Sequence, residues 1–137
     1  MKFSPNYICP CGSKIKYKKC CQPFHKGRLP SNALELMKSR YVAYKLQLPK
    51  YIIKTTYKDN KDYLEDNKLW EEQILDFSKS CDFEFLTILD FIDGTLEAFV
   101  TFRVQLVCKN EDSSFCEKSK FLKEDGKWFY HSGEFDE

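Results

Sequence analysis

The distribution of apolar residues along the chain changes twice. Residues 1–28 contain only scattered apolar side chains, whereas from Pro30 onwards apolar residues recur at spacings of three and four. Beyond Ser80 they tend to alternate with polar residues. A spacing near 3.6 residues is typical of a helix and a spacing of two is typical of a strand. The pattern therefore predicts an irregular N-terminal segment, then helices, then strands.

The first helix has well-marked ends. Ser31 or Asn32 can cap its first turn, Glu35 follows Asn32 by three residues as in a capping box, and Pro49 is expected to end it. A stripe at spacings of 3, 4, 3 and 4 would face the core and consists of Leu34, Met37, Tyr41, Tyr44 and Leu48.

Two further helices are predicted before the strands begin. A short one covers residues 50–57, and a longer one covers residues 67–79 after a polar loop. The inward side of the longer helix would carry Trp70, Ile74 and Phe77.

The C-terminal half predicts an antiparallel sheet. Asp93-Gly94 and Asp125-Gly126 are two-residue turn signals of the kind that join hairpin strands, and residues 110–114 form a longer polar loop. The four predicted strands cover residues 83–92, 96–109, 115–124 and 127–133. Helices followed by strands predict an α+β domain in which the helices pack on a four-stranded antiparallel sheet.

Four cysteines of the N-terminal segment have the spacing of a metal site. Cys9 and Cys11 are separated by one residue, and Cys20 and Cys21 follow after eight more. Gly12 permits a tight turn between the pairs, and we expect Ser13 to cap a short helix over residues 14–19. Four thiolates close a tetrahedron, which suits structural zinc and leaves no position for a catalytic water; iron(II) also accepts four thiolates.

The chain is predicted to have two parts. Residues 1–28 form a small metal-binding knuckle and residues 29–137 form the α+β domain. The knuckle has too few apolar residues to fold alone, so metal binding together with docking onto the larger part would have to stabilise it.

The other three cysteines bear on the compartment. No signal peptide or membrane-spanning stretch is evident, so we expect a cytoplasmic protein whose thiols stay reduced. Cys81, Cys108 and Cys116 lack ligand spacing and are expected to be separate buried hydrophobic side chains.

Charge is distributed unevenly between the two parts. Residues 1–28 carry seven basic side chains and no acid, whereas the remainder carries fifteen basic and twenty-one acidic side chains, a net charge of −6. The basic cluster would either contact an anionic partner or merely offset the charge of the thiolate site. Nucleic-acid binding has weak support, because the footprint is small and consists of Lys14, Lys16, Tyr17, Lys18 and Lys19.

Two blocks of sequence resemble known families. Cys9-Pro10-Cys11-Gly12-Ser13 with Lys19-Cys20-Cys21 resembles the SEC-C motif, a metal-binding module found at the C-terminus of the SecA translocase. Residues 23–25, 36–44, 117–121 and 125–130 resemble the YchJ-like family. That resemblance implies a nuclear-transport-factor-like domain, in which helices close a curved antiparallel sheet into a cone. Lys14 departs from the motif, which usually has glycine there, and residues 54–63 lack a His-Pro pattern associated with the family.

Two functions from different classes fit the sequence. The first is a metal-stabilised binding or adaptor protein whose basic knuckle contacts translation, secretion or chaperone machinery, as the occurrence of the motif in SecA suggests. The second is an enzyme or small-molecule binder that uses the interior of the cone. Enzymatic activity is the less favoured of these, since no catalytic motif is visible and no catalytic residue is assigned.

A few polar residues are candidates for the second function or for the knuckle. Arg103, Glu117 and Tyr130 would line an interior cavity, or Arg103 and Glu117 would instead pair across a solvated sheet face. His25 would act as a ligand, or would pack and hydrogen-bond where the knuckle meets the domain. His131 is expected on the last strand without a catalytic role.

Overall fold

A computed structural model describes residues 3–136 of the chain. A 3₁₀ helix at Tyr17–Lys19 precedes all other helices. The α-helices are α1 (Gln22–His25), α2 (Ala33–Lys45), α3 (Pro49–Lys54) and α4 (Asn67–Ser80). The strands are β1 (Cys81–Ile92), β2 (Glu97–Cys108), β3 (Glu111–Asp112), β4 (Phe115–Glu124) and β5 (Lys127–Asp136). The predicted order of helices followed by strands is confirmed.

The start of α2 follows the predicted capping box in part, since Asn32 caps the helix but Glu35 reaches back to Ser31 and not to Asn32. Asn32 is the N-cap, and its Oδ1 accepts a hydrogen bond of 2.9 Å from the backbone N–H of Glu35. The Glu35 carboxylate in turn accepts bonds of 2.7 Å from the backbone N–H and the hydroxyl of Ser31. Two otherwise unpaired donors at the helix start are thereby satisfied.

The end of α2 differs from the prediction. The helix ends at Lys45, and Gln47 has a left-handed φ of 60°, so the chain has already turned before Pro49. Pro49 begins α3, where its missing N–H costs nothing because the first turn has no intrahelical acceptor for it. Pro49 is therefore a helix start rather than the predicted helix stop.

Helix α2 is buried on nearly all sides. Met37 and Tyr41 of the predicted stripe are buried, but so are Leu36, Val42 and Ala43, which point away from it. The helix contacts α1, α3 and α4 as well as β1, β2 and β5. It lies between the N-terminal segment and the sheet, which explains why one apolar stripe underestimates its burial.

Helix α4 confirms the prediction at Trp70 and Ile74, which are buried, and contradicts it at Phe77, which is 42% exposed. The buried row continues four residues after Ile74 to Ser78. Phe77 instead lies at the border of the buried face, where its ring packs edge-on against Phe83 with centroids 5.8 Å apart.

The sheet is open and antiparallel, with strand order β1-β2-β4-β5. The four predicted strands are present, and β3 forms in addition by pairing with the end of β2. Asp125 and Gly126 make the predicted two-residue turn with φ angles of 52° and 78°. Asp93-Gly94 does not, because residues 93–96 form a four-residue loop between β1 and β2.

One face of β2 forms the floor of the core. Its buried residues alternate along the strand and are Ala98, Val100, Phe102, Val104 and Leu106. The helices cover this face, and register shifts in the β1–β2 and β4–β5 pairings bend the sheet around them. The N-terminal segment shares this core, because Tyr17 and Phe24 belong to the same cluster of buried residues.

Two cysteines at the sheet's edge correct the expectation of separate buried side chains. Strand β1 begins two residues earlier than predicted, which places Cys81 directly opposite Cys108 on β2. The two sulfurs form a disulfide. Cys116 remains a free, partly buried thiol.

Within residues 3–136, the structure contains no helix of the length and apolarity needed to cross a membrane.

Candidate metal centre and interior cavity

The four N-terminal cysteines meet at one point. The Sγ atoms of Cys9, Cys11, Cys20 and Cys21 all lie within 4.8 Å of one another. Cys9, Cys11 and Cys21 are buried and Cys20 is partly buried. The cluster could hold a metal ion, and it consists of the same four residues that the spacing predicted.

A short hairpin presents the first two sulfurs. Ile8 and Lys16 form an antiparallel bridge, and the backbone N–H of Cys9 donates a hydrogen bond of 2.8 Å to the carbonyl of Ile15. The chain reverses between them at Gly12, whose φ of 90° is a conformation that residues with a Cβ rarely adopt. The C-x-C pair therefore lies on a tight turn closed by backbone hydrogen bonds.

The second pair follows a shorter helix than predicted. Only Tyr17–Lys19 is helical, as a single 3₁₀ turn. Lys14 has a left-handed φ of 67°, and Lys16 has an extended ψ of 141° in its bridge with Ile8, so neither belongs to a right-handed helix. Ser13 does not cap this turn. Its hydroxyl lies 3.1 Å from the Cys20 sulfur and accepts a hydrogen bond from the backbone N–H of Ile15.

The sulfurs influence one another's ionisation. Thiol hydrogen bonds from Cys21 and Cys9 hold the pKa of Cys11 well below its usual range. The hydrogen bond to Cys11 raises the pKa of Cys9 to about 12, and the pKa of Cys21 is also raised, chiefly by its hydrogen bond to Cys11. Thiols packed this closely favour a single shared thiolate, since each further negative charge meets the first.

The donor set fits a tetrahedral metal ion. With a metal–sulfur bond of about 2.3 Å, the sulfurs of a regular tetrahedron are about 3.8 Å apart. The Sγ atoms of Cys11 and Cys20 are 3.5 Å apart, and no pair in the cluster exceeds 4.8 Å. These separations lie around the tetrahedral value, so the donor set fits such an ion.

His25 connects this knuckle, residues 3–28, to the rest of the domain. Its Nε2 lies 2.8 Å from the backbone carbonyl of Ser39 on α2, and its Nδ1 lies 2.6 Å from the hydroxyl of Tyr17. The Ser39 carbonyl can only accept, so Nε2 carries the proton and a neutral ring accepts at Nδ1 from Tyr17. Burial lowers the pKa of His25, which favours that neutral form. The interpretation of His25 as an interface residue is confirmed.

A cavity of about 730 Å³ lies between the helices and the sheet. One of the two interpretations of the sequence placed Arg103, Glu117 and Tyr130 in the lining of a cavity. Glu117 and Tyr130 do line it, but Arg103 does not. Arg103 pairs in register with Cys116, whereas its neighbour Phe102 pairs with Glu117. Since adjacent residues of a strand point to opposite faces, Arg103 lies on the outer face and no Arg103–Glu117 pair forms.

The floor of the cavity is polar. Oε2 of Glu117 accepts hydrogen bonds from the Ser119 hydroxyl and, at 3.0 Å, from the Tyr130 hydroxyl. Burial, followed by the negative charge of Glu117, raises the pKa of Tyr130, so this hydroxyl stays protonated and donates. Arg40 stacks on the other side of this pair, with its guanidinium carbon 4.7 Å from the centre of the Tyr130 ring.

Arg40 is the lining residue that sequence reasoning missed. It follows Met37 by three positions and precedes Tyr44 by four, so it lies on the very stripe that was predicted to be buried. It is 7% exposed. His131, by contrast, lies partly exposed on β5 with its Nδ1 2.8 Å from the Ser132 hydroxyl.

The architecture defines a class of protein, a SEC-C motif joined to an NTF2-like domain. The SEC-C motif profile matches residues 8–23, and the profile described as the middle NTF2-like domain of YchJ matches residues 32–133. The second match covers most of the chain, and the chain belongs to the YchJ family.

Relatives and solved structures agree with this assignment. A UPF0225 protein of Serratia proteamaculans is 34% identical over 131 residues, covering 92% of this chain and 82% of the relative. The UPF0225 protein YchJ of Shigella dysenteriae is 32% identical over 129 residues with the same coverage, 92% and 82%. The solution structure of a SEC-C motif containing protein from Rhodopseudomonas palustris superposes with a TM-score of 0.80 at 28% identity, covering 96% of this chain and 100% of that one.

The first prediction concerns the left-handed backbone of Lys14. A left-handed backbone costs a residue with a Cβ about 1–2 kcal/mol, and glycine avoids most of this cost while losing some entropy on folding. We expect Lys14→Gly to raise the free energy of unfolding by up to about 1 kcal/mol. Lys18→Gly is the matched control, because it removes the same charge from the 3₁₀ turn, where glycine should destabilise. Denaturant unfolding of both variants measures the difference, and equal stabilities would contradict the prediction.

The second prediction concerns the two hydrogen bonds of His25. His25→Phe keeps a ring against Tyr51, whose centroid is 4.8 Å away, but loses both hydrogen bonds and leaves the buried Tyr17 hydroxyl without its acceptor. Such a loss costs about 1–3 kcal/mol. Hydrogen exchange should show the backbone amides of Cys9 and Tyr17 less protected, while His131→Phe leaves them unchanged. Undiminished protection in His25→Phe would mean that the histidine does not hold the knuckle in place.

Proposed function

We propose that the chain binds one zinc ion through Cys9, Cys11, Cys20 and Cys21 and that this ion is structural. The observation that carries the proposal is the convergence of four sulfurs within 4.8 Å on a segment that matches the SEC-C motif. Four protein ligands complete a tetrahedron, so no position remains for a reacting water or substrate. Iron(II) is the competing metal, because it also accepts four thiolates.

The burial of the cluster supports a structural role. The hairpin, the 3₁₀ turn and α1 supply few apolar contacts of their own, and the sulfurs lie at the point where all three meet. A metal ion there would join both halves of the knuckle and stabilise the surface that docks on α2.

We further propose that the knuckle acts as an adaptor for a protein partner of acidic character. Lys14, Lys16, Lys18 and Lys19 are all exposed, and no acidic residue occurs in residues 1–28. Translation, secretion or chaperone machinery is the kind of partner suggested by the occurrence of the motif in SecA. The remainder of the chain is acidic, so it would orient the basic knuckle towards such a partner.

The proposed compartment is the cytoplasm. A centre of four thiolates requires reduced cysteines, and the cytoplasmic thiol pool maintains them. In that environment the disulfide between Cys81 and Cys108 would be reduced to two adjacent thiols.

A second candidate function, small-molecule binding, is favoured by one specific observation. The interior contains a cavity of about 730 Å³, within the usual range of ligand pockets, and it combines apolar walls with a few polar groups. The two functions use different parts of the chain and do not exclude each other.

The third prediction concerns the metal. Elemental analysis of protein purified without chelator should give close to one zinc or iron per chain, and replacing Cys9 and Cys20 together with serine should abolish it. Cys116→Ser is the matched control, since this thiol is free and lies outside the cluster. Full metal content in the double variant would show that the ligands are wrongly assigned.

The fourth prediction separates the two roles of the lysines. Lys16→Glu with Lys18→Glu should leave metal content intact and weaken capture of a partner, with capture in the unmodified chain falling steeply as salt shortens the screening length to about 8 Å. Lys68→Glu with Lys79→Glu on α4 is the control for a change in net charge. Loss of metal with unchanged capture would mean that the lysines only balance the thiolates.

A further inference from the structure

The cavity between helices and sheet is shaped for an apolar body. Besides its few polar residues, its walls are aromatic and aliphatic side chains contributed by α2 and by the inner face of the sheet. The principal apolar lining residues are Met37, Tyr44, Phe83, Phe102, Leu106 and Phe121. Aromatic walls attract apolar groups and also cations, because the face of each ring carries negative potential.

One carboxylate in this cavity, that of Glu117, forms no ion pair with a described residue. Glu117 is 7% exposed, and within residues 3–136 no basic side chain comes within 4.0 Å of its oxygens. Both of its hydrogen bonds, from Ser119 and Tyr130, end on Oε2. Oε1 therefore keeps an unused capacity to accept a donor, on a buried charge that gains strongly from a positive partner.

Arg40, the nearest basic residue in the lining, is committed elsewhere. Its Nη1 donates to the carbonyl of Ile52 at 3.1 Å and to the hydroxyls of Thr55 and Thr56 at 2.8 and 3.1 Å. These acceptors lie on α3 and just after it, so the guanidinium holds that wall of the cavity and rests on the Tyr130 ring. It forms no ion pair with Glu117.

Gly133 leaves open the space that the Glu117 carboxylate occupies. Gly133 on β5 pairs with Ser119 on β4. A Cβ at Gly133 would collide with the Glu117 carboxylate and would lie 2.8 Å from the Tyr130 hydroxyl oxygen. The φ of Gly133 is not left-handed, so the backbone itself does not require glycine there. The absence of a side chain is explained by the Glu117–Tyr130 pair that occupies the space.

The charged residues that line the cavity are acidic in excess, which agrees with Oε1 of Glu117 as a free hydrogen-bond acceptor. Three acidic residues, Asp62, Glu111 and Glu117, line the cavity against two basic ones, Arg40 and Lys109. The acceptors of Arg40 are neutral and leave its charge in place, so two basic against three acidic side chains give the lining a net charge of −1.

From these observations we infer that the cavity binds a small organic cation, a protonated amine carried on an apolar or aromatic body. The amine donates to Oε1 of Glu117 in a charge-assisted hydrogen bond, and the body packs against the aromatic walls. This inference rests on the second function proposed above, binding of a small molecule, and names its ligand class.

Three probes of similar size test the ligand class on the full chain. Phenethylamine is cationic, phenethyl alcohol is its neutral counterpart, and hydrocinnamate is the anionic one. Titrations followed by amide NMR shifts should place phenethylamine at residues of β2 and β4 that line the cavity. Its affinity should exceed that of each of the other probes at least tenfold.

Two variants, together with one control, test the role of Glu117 in binding. Glu117→Gln keeps the size and the hydrogen-bonding oxygen but removes the charge, and should weaken phenethylamine binding at least tenfold. Glu134→Gln, an exposed carboxylate on β5, is the matched control and should bind as the unmodified chain does. Gly133→Ala should also weaken binding, because it displaces the Glu117 side chain.

The outcomes separate the ligand class from the cavity function. Equal or tighter binding of phenethyl alcohol or hydrocinnamate overturns the amine inference while small-molecule binding stands. Binding of none of the three probes overturns both. The comparison of probes needs only the unmodified chain, so it decides the question even if Glu117→Gln does not fold.

Discussion

The burial of α2 on nearly all sides is the constraint on which the rest of the structure depends. The carbonyl of Ser39 receives His25 of the knuckle, the guanidinium of Arg40 holds α3, and Met37 lines the cavity. These three residues lie within four positions of one helix, so a single rigid element positions the knuckle, the helical wall and the cavity together.

The two candidate sites, the knuckle and the cavity, have opposite electrostatic surroundings. The knuckle gathers four sulfurs among basic residues and would need a dication to ionise them all, which matches a soft metal ion. The cavity gathers a carboxylate and two hydroxyl donors among aromatic rings, and leaves one carboxylate oxygen unused. Tyr41 connects them, since its ring lines the cavity while the charge of Cys11 adds to burial in raising the pKa of its hydroxyl to about 12.

Local features were predictable because their causes are local. The cap at Asn32, the Asp125-Gly126 turn and the convergence of the four cysteines each depend on residues close together in sequence, whose geometry the backbone dictates. The departures have the same kind of explanation. Lys14 replaces the glycine of the motif and adopts a left-handed φ, and Lys16 is extended, so the predicted helix starts three residues late as a single 3₁₀ turn.

The sequence by itself thus determined the order of helices and strands, the four cysteines of the candidate metal centre and the presence of a sheet face able to line a cavity. Only the tertiary structure decided that Cys81 meets Cys108, that Arg40 rather than Arg103 enters the lining, and that no basic side chain of residues 3–136 pairs with Glu117. The physical reason is register. A shift of one residue moves a strand side chain to the other face, and burial of a helix depends on every element packed around it.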